Sequence, residues 1–133
     1  MKEKSNKWPY KWFGFWKEYG EEYIKYPSIK YFINEEINKT YEKEKLLNYL
    51  NKGLVITVTS KSSFPDPFTS VLGKGEISIK TDGKWLWLEN IYDFIEFNNL
   101  IIPSAFYKDI QDNNFILPEI EIVNFEALEW PSL

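Results

Sequence analysis

The chain has 133 residues, of which 44% are hydrophobic, 27% charged and 19% aromatic, and this composition excludes a disordered chain and suits one domain over residues 1–133. It contains neither cysteine nor histidine, which excludes disulfides, thiolate metal sites, cysteine nucleophiles and imidazole bases. The net charge of -4 comes from interspersed acidic residues and lysines, so we expect no nucleic-acid partner. No stretch reaches the roughly 18 apolar residues of a membrane span, and we expect a cytoplasmic protein without a membrane partner.

The N-terminal part of the chain is predicted to form helices. Aromatic residues recur at spacings of three and four between Tyr10 and Lys25, which is typical of a helical stripe; they are Trp12, Trp16, Tyr19 and Tyr23. Pro27 ends this helix, and Ser28 is suited to cap a second, amphipathic helix that reaches Ile37.

A third helix is predicted from Tyr41 to Lys52. Thr40 is its candidate N-cap, and Gly53 is expected to supply the left-handed residue at its C-terminal end. The leucines at helical spacing form the predicted buried stripe; they are Leu46, Leu47 and Leu50.

The pattern changes from helical to extended at Leu54. Residues 54–59 carry no charge and are mostly β-branched, which predicts a central strand. A loop follows over residues 60–70, with prolines on both sides of Asp66. Residues 76–80 predict a second strand with Ile77 and Ile79 on one face.

A turn at residues 81–84 joins this strand to a third one over residues 84–88, and together they form a hairpin. A two-residue loop leaves Trp85 and Trp87 on the face opposite Ile77 and Ile79, where a second apolar layer must cover the indoles. A three-residue loop with Gly83 in a bulge places all four side chains on one face, and we favour this arrangement.

Two short helices are predicted after the hairpin. Asn90 is a candidate cap for the first helix, which ends at residues 98–99, and Pro103 opens the second. Residues 116–123 alternate as in an edge strand, and residues 124–130 suit a last helical turn. The expected fold is therefore α+β: N-terminal helices packed on a small antiparallel sheet that contains a β-hairpin, followed by short helices.

The carboxylates around the hairpin are candidates for a catalytic pair. They are Asp66, Glu76, Asp82, Glu89 and Asp93. Roles in a turn, an exposed strand and a helix start explain Asp82, Glu76 and Asp93, and no calcium-loop, phosphate-loop or serine-nucleophile motif occurs. We therefore predict no catalytic residue, no metal site and no cofactor, and expect that the protein is not an enzyme.

The aromatic content is the feature that most exceeds ordinary usage. A buried stripe is its simplest explanation, but exposed aromatic side chains also anchor protein interfaces and bind sugar rings. Five residues are the candidates for partner binding: Trp8, Trp12, Asp66, Phe68 and Tyr92.

The stretch from Ile77 to Ile110 carries a T-D-G-x-W-x-W hairpin followed by an I-P-x-x-F segment. The matching residues are Thr81, Asp82, Gly83, Trp85, Trp87, Tyr92, Ile95, Ile102, Pro103 and Phe106. In this pattern the chain resembles an uncharacterised bacterial family with a T/S-D-G-x-W-x-W hairpin and an L/I-P-x-x-F segment, and the similarity extends over residues 26–110. The shared residues are architectural and include no catalytic group.

That family resembles the small acidic immunity proteins that are encoded beside toxins. The resemblance implies a non-enzymatic protein-binding module, and an immunity protein that inhibits a basic toxin by direct binding is the leading hypothesis. The alternative is a domain that binds a small ligand or carbohydrate through exposed aromatic residues.

Overall fold

The computed structural model describes residues 8–34, 42–119 and 128–131. Within them, four strands form one sheet in the order β1-β4-β3-β2; they are β1 (Trp12–Phe13), β2 (Leu54–Ser60), β3 (Glu76–Thr81) and β4 (Leu86–Leu88). The α-helices of the same residues are α1 (Lys43–Asn51), α2 (Ile91–Asn98) and α3 (Ser104–Asp112). The prediction of an antiparallel sheet is wrong for one pair: the sheet is mixed, because β1 runs parallel to β4 while the other two pairs are antiparallel. The α+β class is thus confirmed.

The predicted N-terminal helix over residues 10–25 is wrong. The described chain begins with the short strand β1, and two 3-10 turns follow at Lys17–Tyr19 and Glu21–Tyr23. Gly14 has a φ of 102° and Gly20 a φ of 151°, and these conformations interrupt a right-handed helix. The aromatic spacing reflects a coiled segment that is buried on several sides rather than a helical stripe.

The second predicted helix is much shorter than expected. Ser28 does act as the cap, since its Oγ accepts a hydrogen bond from the Lys30 amide, but the 3-10 helix Ile29–Phe32 ends after one turn. Ile33 is extended and forms a bridge with Leu100, which ties this segment to the connection after α2. The remainder of the predicted helix up to Ile37, and Thr40, lie outside the described residues.

The third predicted helix is confirmed as α1, and its three leucines are buried. The expected left-handed role of Gly53 is wrong, because Gly53 is not among the residues with positive φ. Its missing side chain matters instead: a Cβ there would lie 2.4 Å from Cζ2 of Trp87. Glycine therefore lets the end of α1 approach the sheet closely.

The uncharged run after Gly53 is a strand, as predicted, but it lies at the edge of the sheet and not at its centre. Leu54, Val55 and Val58 are 40%, 48% and 47% exposed. An apolar sequence without alternation is typical of a strand buried on both faces, and here the same pattern occurs on a strand that solvent reaches from both faces.

The favoured arrangement of the hairpin is also wrong. Thr81 pairs with Leu86 and Lys80 with Trp87, so the loop has four residues and Trp87 shares a face with Lys80, opposite Ile77 and Ile79. The Asp82 carboxylate determines this loop, because its Oδ1 accepts the amides of Lys84 and Trp85 at 3.0 and 2.7 Å. The second apolar layer comes from Tyr49 and Phe106, which pack on Trp87.

The two helices after the hairpin are confirmed as α2 and α3. Asn99 ends α2 in the left-handed conformation, and Pro103 precedes α3. The predicted capping bond at Asn90 does not form, since Asn90 has helical φ and ψ and its side chain makes no cap hydrogen bond. Residues 116–119 form no strand, and residues 120–127 lie outside the described part of the chain.

The core is rich in aromatic side chains that meet mostly edge to face. Four tryptophans are at most 1% exposed; they are Trp12, Trp16, Trp85 and Trp87. Trp85 stacks on Phe106 at 4.4 Å, and Trp8, Phe13 and Phe32 contact one another at 5.4 to 5.7 Å. Among the described residues, no helix has the length and apolar character needed to cross a bilayer.

Candidate functional site

The loop between β2 and β3, residues 61–75, is ordered by its own hydrogen bonds. The Lys61 amide donates to the Gly75 carbonyl at 3.0 Å and closes the base of the loop. At the tip, Oδ1 of Asp66 accepts the amides of Phe68 and Thr69 at 2.8 and 3.1 Å, which is an Asx turn. Asp66 thus holds the tip in one conformation.

Two aromatic residues fasten this loop to the rest of the molecule. Phe64 lies 5.1 Å from the ring of Tyr19 and 5.9 Å from that of Phe15, in the N-terminal aromatic cluster. Phe68 packs edge to face on Phe94 of α2 at 5.7 Å. The loop therefore bridges the N-terminal segment and α2.

A concave surface lies between this loop and α2, and we call it the loop groove. Its volume is about 410 Å³. Its apolar walls come mainly from Phe64, Val71, Leu72, Ile77 and Phe94, and its polar groups include Lys61, Asp66, Asn90 and Asp93. Val71 and Leu72 are each 64% exposed, so the rim presents apolar surface to solvent.

A second depression adjoins the loop groove along the sheet, and we call it the sheet groove. It has a volume of about 350 Å³ and is lined by charged residues of both signs together with Tyr92. The two grooves share Lys61, Ile77, Asn90 and Asp93. They are therefore two halves of one continuous surface.

The charges of this surface are only partly neutralised. Neither Asp66 nor Asp93 forms an ion pair within the described residues, where the ion pairs are Lys84 with Asp109 and Lys108 with Asp112. Glu89 is engaged in the fold, because its Oε1 accepts the Ser78 amide at 2.6 Å. The loop groove thus combines two carboxylates and one ammonium group, so its excess charge is negative.

Asn90 lies on the wall shared by the two grooves. Its Nδ2 donates to the Tyr19 hydroxyl at 3.0 Å, while its Oδ1 is buried without a hydrogen-bond partner in the described part of the chain. Burial raises the pKa of Tyr19 well above its usual range, so this hydroxyl stays protonated. The Asn90 side-chain carbonyl therefore has unused capacity to accept a hydrogen bond.

The structure brings three of the five candidate residues to this surface. Asp66 lines the loop groove, Phe68 contacts its wall and Tyr92 lines the sheet groove. Trp8 and Trp12 lie elsewhere, in the aromatic core beside β1, and are only 8% and 1% exposed. Their role in partner binding stays a prediction, and their small exposed areas do not support it.

The groove residues that sequence reasoning missed are Val71 and Leu72. They follow the predicted loop and carry no chemical motif, so only their position in an uncharged run, next to Gly73, distinguishes them. Two adjacent aliphatic residues in a turn-rich segment are the sequence signal that could have identified them, because loops lie mostly at the surface.

The residues of the T-D-G-x-W-x-W pattern have structural roles. Thr81 Oγ1 donates to the Trp85 carbonyl at 2.7 Å, and Tyr49 donates to the buried Asp82 carboxylate at 2.6 Å. The Trp85 indole donates to Asp109 Oδ2 at 2.8 Å. Burial opposes the ionisation of Asp109, but this bond and the Lys84 ammonium outweigh it and lower the pKa of Asp109.

Among the described residues, no group of three or more acidic side chains is arranged to hold a metal ion. Comparison of the chain with protein-family models, with curated proteins and with solved structures finds no match. A functional assignment consequently rests on the geometry and chemistry of the two grooves.

Proposed function

We propose that the protein is a non-enzymatic protein-binding module and that the loop groove binds a basic protein. The observation that carries this proposal is the combination in one concave surface of exposed apolar side chains with two carboxylates that have no ion partner in the described chain. Exposed apolar side chains next to charged groups are typical of protein interaction sites.

The apolar part of the groove supports binding of a folded partner. Phe68 is 40% exposed and already packed on Phe94, while Val71 and Leu72 extend from a loop held by the Asp66 turn. Because hydrogen bonds fix the loop backbone before binding, less conformational entropy is lost when a partner covers these side chains.

The charge of the molecule supports a basic partner. Asp66 and Asp93 outnumber the single ammonium group of Lys61 in the loop groove, and the whole chain carries a net charge of -4. Complementary fields accelerate the association of oppositely charged proteins, and the effect weakens with salt.

A toxin is the partner that we propose, with this protein acting as its immunity protein in the bacterial cytoplasm. The support is the resemblance of residues 26–110 to the bacterial family described above, together with the acidic, apolar character of the loop groove. Inhibition would follow from direct coverage of the surface through which the toxin acts.

The proposal is tested with affinity capture from the native host, using the wild type and two variants as bait. Leu72→Lys places a charge on the apolar rim of the loop groove. Ile116→Lys is the matched control, because Ile116 is 69% exposed, lines neither groove and undergoes the same change in charge. Ile116 also lies beyond α3, away from the loop.

We expect one stoichiometric basic protein that binds the wild type and Ile116→Lys, is lost with Leu72→Lys and weakens between low and moderate salt. The purified partner should lose its toxic activity when mixed with the wild type but not with Leu72→Lys. Equal capture by both variants, or capture of no protein, would contradict the proposal.

The volume of the loop groove favours a second candidate function, because about 410 Å³ lies within the range of small-molecule sites. Phe64 and Phe94 on its walls could stack on a sugar ring. A screen of glycans and metabolites by thermal shift tests this alternative. A ligand that stabilises the wild type and Ile116→Lys, but not Leu72→Lys, would support it.

A further inference from the structure

Within the described residues, the outer edge of β2 is long, uncharged and open. None of its seven residues is charged and none is a proline, although charged residues and prolines are the usual means of protecting an exposed edge. Its side chains are exposed or half-exposed on both faces of the sheet. In the described part of the chain, the sheet order ends at this strand.

The hydrogen bonds of β3 show which backbone groups of β2 point outward. The Ser78 carbonyl accepts from the Glu89 amide, and the Ser78 amide donates to the Glu89 carboxylate, so both Ser78 groups are directed away from β2. Val58 is the residue opposite Ser78. In an antiparallel pair, the amide and carbonyl of Val58 must then also point away from β3, to the outer edge.

We propose that a second copy of this chain occupies that edge, with the two β2 strands antiparallel and a two-fold axis at Val58. The two Val58 residues would exchange both backbone hydrogen bonds, and two four-stranded sheets would join into one of eight strands. This inference goes beyond the proposed function and uses a different surface from the loop groove.

The absence of charge on the strand favours a second copy over a basic partner at this edge. The repulsion between two copies of net charge -4 is screened beyond about 8 Å at physiological ionic strength, and residues 54–60 bring no charged side chain into the contact. A basic protein would find no carboxylate on the strand to attract it. In the proposed register Lys61 faces Val55 of the second copy, so no like charges lie opposite each other.

The register is also self-complementary in its side chains. Thr57 and Thr59 lie opposite Ile79 and Ile77 and therefore share one face of the sheet. Around an axis at Val58, Thr57 of each copy faces Thr59 of the other, and cross-strand threonine pairs are favourable. The two Val58 side chains meet on the opposite face.

The chain contains no cysteine, which makes crosslinking at single introduced cysteines a sharp test. In a hydrogen-bonded antiparallel pair the Cα atoms lie about 5.5 Å apart, within the range that a disulfide spans. We expect Val58→Cys to form a covalent dimer rapidly upon oxidation or with a short bis-maleimide.

Two matched positions distinguish this register from random collision. Leu54→Cys lies on the same strand, but in the proposed dimer its two copies are about 26 Å apart along the strands. Ile116→Cys is exposed and is not part of β2. Crosslinking of Val58→Cys that is no faster than that of either control would overturn the proposal.

Self-association of the wild type is measured by sedimentation velocity over a wide range of concentrations, beside Val58→Lys. Val58 is 47% exposed and its backbone groups point away from β3, so the variant should keep the native circular dichroism spectrum. We expect a concentration-dependent dimer that Val58→Lys weakens by about tenfold or more, because it places two ammonium groups opposite each other. A wild type that stays monomeric, or a dimer unaffected by Val58→Lys, would refute the inference.

Discussion

The two edges of the sheet differ in how far other parts of the chain cover them. At the β1 edge, the strand has two residues, both buried, and the Trp8 indole donates to the outward Trp12 carbonyl at 2.8 Å. The Lys11 amide before it donates to the Glu129 carboxylate at 2.9 Å. At the β2 edge, seven uncharged residues remain exposed or half-exposed.

This difference teaches where the protein can interact. The Trp8 indole and the Glu129 carboxylate occupy hydrogen-bonding groups at the β1 edge, so a further strand has little to pair with there. The β2 edge keeps its outward groups and its apolar side chains available. The β1 edge thus contributes to the stability of the fold, whereas the β2 edge is suited to binding another chain.

The largest expected difference comes from truncating a side chain at each edge. Trp12→Ala at the β1 edge should lower the free energy of unfolding by about 3–5 kcal/mol, because it removes a buried indole from the aromatic core. Val55→Ala at the β2 edge should cost less than about 1 kcal/mol, since Val55 is 48% exposed. Urea unfolding followed by circular dichroism measures both.

Similar losses for these two variants would contradict the distinction between a structural edge and an open edge. A large loss for Val55→Ala alone would indicate that β2 is buried in solution, for example in a very stable dimer. The Val55→Ala measurement is repeated in the Val58→Lys background, which weakens the proposed dimer. This distinguishes burial of β2 in a dimer from burial within one chain.

The second prediction concerns the hydrogen bond between Tyr49 and Asp82. The Tyr49 hydroxyl donates to the Asp82 carboxylate at 2.6 Å and ties α1, which leads into β2, to the hairpin loop. Tyr49→Phe leaves this buried carboxylate without one donor, and hydrogen bonds to charged groups contribute about 1.5–3 kcal/mol. We expect a loss of that size at neutral pH in urea unfolding.

The same pair predicts how stability depends on alkaline pH. Burial, followed by the bond to Asp82, raises the pKa of Tyr49 above its ordinary value of 10.0. Near pH 10 the unfolded chain loses this proton while the folded chain keeps it, so stability is complete below pH 10 and decreases as the pH rises further. Tyr49→Phe should show a shallower decrease, and equal slopes for the two proteins would refute this assignment.

The third prediction concerns Gly53, the residue that joins α1 to β2. A Cβ at this position would lie 2.4 Å from Trp87 Cζ2, so Gly53→Ala should destabilise the fold by about 1–3 kcal/mol through overpacking. Gly75→Ala is the matched control, at the end of the loop between β2 and β3. A Cβ at Gly75 would meet no atom within 4 Å, so only the positive φ of 91° opposes the substitution.

In this comparison, thermal unfolding and the near-ultraviolet circular dichroism spectrum, to which Trp87 contributes with the other tryptophans, should both change in Gly53→Ala. In Gly75→Ala the tryptophan signal should be preserved, with a stability loss of about 1 kcal/mol from backbone strain. A Gly53→Ala variant with an unchanged tryptophan environment would show that α1 can move away from the sheet at little cost.

The sequence predicted the elements whose signals are local. The leucine spacing of α1, the alternation of β3, the left-handed Asn99 at the end of α2 and the proline before α3 all act through neighbouring residues, and the structure confirms them. In the candidate site, Asp66 and Phe68 were indicated by the turn-rich loop in which they lie.

What the sequence did not predict depends on contacts between distant segments. The apolar run of β2 fits a buried strand as well as an exposed edge, and only the strand order distinguishes them. The face of Trp87 depended on how the Asp82 carboxylate arranges a four-residue loop. The N-terminal aromatic spacing imitated a helix because tertiary packing, not periodicity, determines which rings are buried there.

The smallest effect is expected from the hydrogen bond that protects the β1 edge. Trp8→Phe retains an aromatic ring among Trp12, Phe13 and Phe32 but removes the donor to the Trp12 carbonyl. The hydrogen bond should contribute about 0.5–1.5 kcal/mol, and its loss should shift the Trp12 carbonyl carbon resonance. Trp16→Phe is the control, because the buried Trp16 indole has no hydrogen-bond partner in the described residues, and that resonance should stay in place. Sedimentation of Trp8→Phe should match the wild type, since an uncovered strand of two residues is too short to pair; new self-association would mean that the indole alone keeps this edge closed.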